Sequence, residues 1–308
     1  MRQPARPPAV AGQFYPEDAK RLQAEVRALL AGAVPARGER PIALILPHAG
    51  YVYSGQVAAD GWRQAMDHRY DLVVLLGTNH TAPAFAGASV FIGGGFRTPL
   101  GVAEVDEQAA SGLLAAEPDC TSDPRPHERE HSIEVQVPFV QVALPGAKIL
   151  PVVIGCEDPG LCSRLGPALA RLVARHKALV VASSDLSHFP AYADAVASDR
   201  AVLTAMAGLD PDALRRTIAA EMRAGRRGLD TCACGEGPAL VAMTAAKALG
   251  ATRGTVLSHA NSGDMPLGNR HRVVGYGAVM FGAVGEGADL AALDDPPHVA
   301  LSAPGRPS

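Results

Sequence analysis

The sequence predicts one α/β domain built on a central, mostly parallel sheet flanked by helices. Three observations carry this. Short apolar runs rich in Val, Ile and Leu alternate with helical patterns through most of the 308 residues. Several of those runs are continuously apolar, as strands covered on both faces are. With 48% hydrophobic and 19% charged residues the chain can build a substantial core.

The strand candidates are 42–47 (IALILP), 71–77 (DLVVLLG), 88–94 (ASVFIGG), 148–155 (KILPVVIG), 178–184 (ALVVASS), 254–261 (GTVLSHAN) and 274–281 (VGYGAVMF). Helical patterns fall at 54–67, 104–116, 130–143, 158–175, 190–206, 210–224 and 235–249. Such alternation points to one domain rather than two. Residues 1–7 are rich in Pro and Arg and are expected to be mobile. The domain then runs over 8–283. Residues 284–308 are small, acidic and Pro-rich and are expected to form a disordered tail.

Charge and hydropathy narrow the function classes. The net charge is −3 and no long basic run occurs, which argues against nucleic acid and anionic membrane surfaces as partners. No stretch approaches the roughly 20 apolar residues of a membrane helix. The N-terminal residues lack the apolar centre of a signal peptide, so a cytoplasmic location is expected. The five cysteines, Cys120, Cys156, Cys162, Cys232 and Cys234, form neither a disulfide framework nor a zinc ribbon.

The informative residues sit where strands end. His48 follows the first strand, "TNH" with Asn79 and His80 follows the second, and "DLSH" with Asp185 and His188 follows the fifth. In a parallel sheet these ends share one edge, where α/β proteins bind ligands. One histidine after a strand is an ordinary turn residue; three polar strand ends together point to a shared site. Neutral imidazole suits iron, copper and zinc. Two histidines need a further ligand, and Cys234, Glu134, Asp185 and His188 are candidates. Cys234 precedes a predicted helix start, where the dipole favours a thiolate; it reads equally well as a small buried side chain. His131 and Glu134 are spaced i, i+3 on the predicted helix 130–143. They read either as a polar pair facing the site or as the solvated face of a capped helix. Tyr51 and Tyr53 either line the pocket beside His48 or pack in the core. Asn79 is a pocket or outer-shell candidate. His68 and His176 precede strands and fall on the opposite edge.

Taken in order, PAVAGQFYP (8–16), PHAGYVYSG (47–55), LLGTNH (75–80), EHSIEVQVPF (130–139), SSDLSHF (183–189), the CACG region and VVGYGAVMF (273–281) resemble the Memo family, also called AmmeMemoRadiSam system protein B. The resemblance spans roughly residues 8 to 282. It implies a fold like that of the class III extradiol dioxygenases (LigB-like), which are non-haem iron(II) enzymes that open catechol rings. It implies His48, His80 and Cys234 as ligands to iron(II) or copper, with zinc as a substitute, and Asp185 and His188 as the polar pair beside the metal. His188 would take the place of the acid–base histidine of the ring-opening enzymes. Where those enzymes use a carboxylate, the thiolate donates more charge and favours softer ions such as copper(I). A redox enzyme with a small-molecule or peptide ligand in the metal pocket is one implied function. A non-enzymatic adaptor or metal chaperone is another. Work alongside a radical S-adenosylmethionine (radical SAM) enzyme and an AMMECR1-like protein is a third.

Overall fold

A computed structural model describes residues 4–155, 158–266 and 268–299. Its elements follow in chain order: α1 (Ala19–Ala31), β1 (Ala43–Leu46), α2 (Tyr51–Ala65), β2 (Leu72–Thr78), β3 (Ala88–Val90), β4 (Phe96–Thr98), β5 (Gly101–Ala103), α3 (Glu107–Ala116), β6 (Cys120–Thr121), α4 (Arg125–Glu128) and α5 (Val137–Ala143). After these come β7 (Lys148–Ile154), α6 (Pro159–Val173), β8 (Ala178–Ser183), α7 (Tyr192–Ala207), α8 (Pro211–Arg223), α9 (Glu236–Ala248), β9 (Arg253–Asn261), β10 (Gly275–Gly282) and β11 (Gly287–Asp289).

Nine strands form one sheet in the order β11-β9-β10-β1-β8-β2-β7-β3-β6, and β4 with β5 makes a separate hairpin. At its centre β1, β8, β2 and β7 run parallel. Antiparallel pairing enters at β10, which joins both β1 and β9, and at β3 beside β7. Helices cover both faces. α2 packs on β1, β9 and β10 and holds α1 and α5 behind it; α9 lies across β1, β2 and β8 and contacts α6 and α8. Burial on two sides explains why β1, β2 and β8 read as continuous apolar runs.

The order β1-β8-β2 matters most for function. These three neighbours are parallel, so the residues after Leu46, Ser183 and Thr78 emerge together on one edge.

Four expectations need correction. The single helix expected over 130–143 is a turn followed by a 3₁₀ segment, Glu134–Gln136, and then α5. Pro138 lacks the N–H that a continuous helix would return to residue 134. Upstream, the Glu130 carboxylate collects the N–H groups of His131 and Ser132 in a non-helical turn. Second, α1 has no counterpart among the expected helices. Asp18 caps it by accepting from Arg21 N–H, and Leu22, Val26, Leu29 and Leu30 are buried at helical spacing. That signal was present in the sequence. Third, the N-terminal residues are held down from Pro4 onward: Arg6 is buried, and its backbone pairs with Gly95 and Arg97. Fourth, much of the expected tail is structured. β11 pairs with β9, the Asp289 carboxylate takes both Arg37 and Arg253, and His298 reaches buried Asp60 at 2.7 Å. Composition could not reveal partners some 250 residues away. Residues 1–3 and 300–308 lie outside the described residues.

Candidate metal centre

His48 follows β1 and is almost fully buried. Its ring is held from behind. The Ser183 hydroxyl donates to Ser132 O (2.7 Å) and lies 3.1 Å from His48 Nδ1; Gln136 Nε2 donates to the same hydroxyl oxygen. The hydroxyl has one proton, already given to Ser132, so His48 Nδ1 must be the donor to Ser183. That leaves Nε2 with its lone pair, 3.2 Å from Cys234 Sγ. Burial, then the neighbouring His80 and His131, push the His48 pKa well below its ordinary value, so the ring stays neutral as a metal ligand must.

His80, at the end of β2, is held by Glu130. The backbone N–H of His80 donates to Glu130 Oε2 (2.6 Å) and its Nδ1 lies 3.0 Å from Oε1. A carboxylate on one ring nitrogen fixes the tautomer and leaves the other nitrogen for an ion. His131 stacks on His80, with ring centroids 4.6 Å apart, and its centroid lies 5.5 Å from that of His48.

Cys234 sits just before α9. The approach is tight: a Cβ on Gly235 would stand 2.4 Å from Ser183 O and 2.6 Å from Ser184 Cβ. Gly235 N–H donates to Ser184 Oγ, which pins the helix start to the end of β8. Burial, then the Asp185 charge, raise the thiol pKa well above its ordinary value. The thiolate therefore needs a positive charge beside it, which a bound cation provides.

Asp185 lies between the two histidine-bearing strand ends. It accepts from His48 N–H at 2.7 Å and also from Ala49 N–H. Burial pushes its carboxyl up to about 7 against these bonds. Its hydrogen bonds fix the loop after β1, and none of those described goes to His188. Backbone hydrogen bonds hold His188 instead. His188 N–H donates to Thr231 O, and its carbonyl accepts from Asp230 N–H. His188 Nε2 is buried and has no hydrogen-bond partner among the described residues. The next residue, Phe189, holds a left-handed φ of 72°, a conformation uncommon outside glycine and typical of sites where structure is over-determined.

Other expected site residues go elsewhere. Glu134 turns away from the pocket and forms a buried hub, accepting from Arg6 Nη1, Ala9 N–H, Val10 N–H and Tyr15 OH. The i, i+3 argument failed because the segment is not helical. Tyr51 is a packing residue: it lies against Tyr15 and Phe139, and its hydroxyl donates to Val135 O. Asn79 braces the loop after β2 through Ala82 N–H and O. Cys232 is buried beside Ser198 and Met222. Sequence reasoning missed the parts played by Glu130, Ser183 and Gln136. Each acts through a partner on a different segment, and spacing along the chain carries no such signal.

Among the described residues, donor atoms lie within 4.8 Å of one another in two triplets: His48, His80 and His131, and His48, Asp185 and Cys234. The three residues implied by the resemblance are split between these triplets, and only His48 belongs to both. A cation fits this donor set. Imidazoles with carboxylate or hydroxyl partners on Nδ1, a thiol against a free imidazole nitrogen, and buried surroundings are what a transition-metal site is built from.

The family model described as Memo-like protein matches residues 6–280. The chain belongs to the Memo family. A MEMO1 family protein of Aquifex aeolicus is 36% identical over 277 residues, covering 90% of this chain and 98% of the relative. Another, from Methanosarcina barkeri, is 37% identical over 279 residues, covering 89% and 99%. The crystal structure of an uncharacterized Escherichia coli K12 protein superposes with a TM-score of 0.53 at 17% identity, over 79% of this chain and 100% of that one. That last likeness concerns the fold alone. The family match covers β1 to β9, most of β10 and every residue of the two triplets, and it ends before β11. No helix among the described residues is long and apolar enough to cross a membrane.

Proposed function

We propose that this Memo-family chain binds one iron or copper ion with His48, His80 and Cys234 and uses it in redox chemistry on a small molecule. The observation that carries the reading is the 3.2 Å approach of Cys234 Sγ to His48 Nε2, with His48 Nδ1 tied back to Ser183. Two such soft or borderline donors, meeting at the edge of a parallel sheet, have an ion as their natural common partner.

When bound, the ion supplies Lewis acidity and one-electron chemistry. The chain's own residues do the remaining work. Ser183 and Glu130 keep His48 and His80 in ligand tautomers. Asp185 holds the loop that carries His48. His188 Nε2, buried without a hydrogen-bond partner among the described residues and within charge reach of His48 and His80, can take or give a proton at a bound ligand's oxygen. Metal delivery without turnover is the second reading. It draws support from the partial exposure of His80 and His131, whose side chains are 29% and 21% accessible.

The test is anaerobic. Metal-stripped protein loaded with copper(I) should take one ion per chain. Cys234→Ser should weaken binding far more than Cys232→Ser, because a hydroxyl is a poor partner for a soft ion. Equal loss in both variants, or loss only with Cys232→Ser, moves the site. Oxygen uptake with catechols then separates the readings: a filled site without uptake leaves a binding or delivery protein.

A further inference from the structure

We propose that His131 is a metal ligand, and that the pocket offers two alternative third positions beside His48 and His80. One is the Cys234 thiolate and the other the His131 imidazole. This rests on the reading above that His48 and His80 hold an ion.

The geometry of the three imidazoles carries the argument. Donor atoms of His48, His80 and His131 all lie within 4.8 Å of one another. The ring centroids are 5.1 Å apart for His48–His80, 5.5 Å for His48–His131 and 4.6 Å for His80–His131. Glu130 serves two of the rings at once. Its Oε1 is 3.0 Å from His80 Nδ1 and 3.4 Å from His131 Nδ1. The hydrogen bond to His80 Nδ1 leaves Nε2 as the donor on that ring, the outer-shell arrangement found behind histidine ligands, and the same oxygen lies within charge-contact distance of the His131 ring. Glu130 Oε1 also accepts His131 N–H at 2.8 Å, so the backbone under the second ring is fixed by the same oxygen. Phe14 packs edge-on against the His131 ring, with centroids 4.9 Å apart. A surface histidine has no need of this support.

The two third positions differ in chemistry. Three imidazoles suit borderline divalent ions such as cobalt(II) and zinc(II); a thiolate favours softer ions such as copper(I). Both sets use His48, so they exclude each other, and one chain holds one ion. The ion's softness selects which side of His48 it occupies.

The experiment uses the full chain, stripped of metal and handled without oxygen, with cobalt(II) and copper(I) as probes. Cobalt(II) bound by the wild type should lack an intense thiolate-to-metal charge-transfer band in the near ultraviolet. His131→Ala should weaken cobalt(II) binding by at least about tenfold, the smallest loss expected even for an outer-shell partner, and leave copper(I) binding unchanged. Cys234→Ser should do the reverse. An intense charge-transfer band in the wild type that disappears with Cys234→Ser overturns the proposal without depending on the folding of any His131 variant. Unchanged cobalt(II) affinity in His131→Ala, or two ions bound per chain, overturns it as well. If His48→Ala retains both ions, or the wild type binds neither, the shared metal site itself is wrong.

Discussion

Glu130 grips His80 twice, taking its backbone N–H at 2.6 Å and its ring Nδ1 at 3.0 Å with separate carboxylate oxygens. The two residues are 50 positions apart, and the contact joins the end of β2 to the turn before α5. It sets both where His80 sits and which nitrogen it offers.

Glu130→Gln should therefore weaken metal binding by about 10–100-fold, the effect of losing an outer-shell carboxylate. It should also change the acid limb of stability. Burial pushes the Glu130 carboxyl up, but the His80 hydrogen bond and charge, the His131 charge and the Ser132 N–H outweigh it and hold the pKa at about 2. A carboxyl lowered on folding adds stability that is full above its unfolded pKa, about 4.5, and is lost as pH falls through about 2. Urea unfolding at several pH values should show this loss in the parent and a flatter profile in the variant. Identical profiles would show that the carboxylate is not held as described.

Arg6→Ala should cost about 3–5 kcal/mol, because it leaves the Glu134 charge buried without its cation. The two side chains are 3% and 0% accessible, and their salt bridge is 2.6 Å. The same guanidinium donates to His127 O and Glu130 O, so the loss should extend to the turn that carries Glu130. Denaturant midpoints decide this. A change below about 1 kcal/mol, the scale of an exposed pair, would mean the N-terminal residues contribute nothing to the hub.

Gly235→Ala places a methyl 2.4 Å from Ser183 O and 2.6 Å from Ser184 Cβ. Something must move, and overpacking of this kind costs about 1–3 kcal/mol. The shift displaces Cys234 relative to His48, so copper(I) affinity should fall along with the melting temperature. A variant with unchanged stability would show that α9 can retreat from β8 freely.

His188→Gln should bind metal like the parent and lose any turnover that is found, since glutamine hydrogen-bonds but cannot shuttle a proton near neutral pH. Metal content and oxygen uptake measured on the same sample check both halves. Loss of metal would make His188 a ligand, and unchanged turnover would leave it without a proton-transfer role.

The alternation of apolar runs with helical patterns was enough to place β1, β2, β7, β8, β9 and β10 to within a residue or two and to predict their sheet. The reason is local: a strand buried on both faces must be apolar throughout, whatever covers it. The same logic brought the residues after β1, β2 and β8 to one edge, because parallel neighbours end together. It could not tell whether Cys234 belonged with them, since a buried cysteine and a ligand cysteine look alike in a sequence. The packing of α9 onto the end of β8, where only glycine fits at 235, brings Cys234 Sγ to 3.2 Å from His48 Nε2. The division of labour within EHSIEVQVPF was likewise tertiary. Glu130 and His131 face the pocket while Glu134 faces Arg6, because backbone N–H groups from two segments compete for these carboxylates and Pro138 denies the helix that would have aligned them. Arg6 and Asp289 show the same limit at the chain ends. Composition marks such residues as solvated, and only partners far away in sequence make burying their charge favourable.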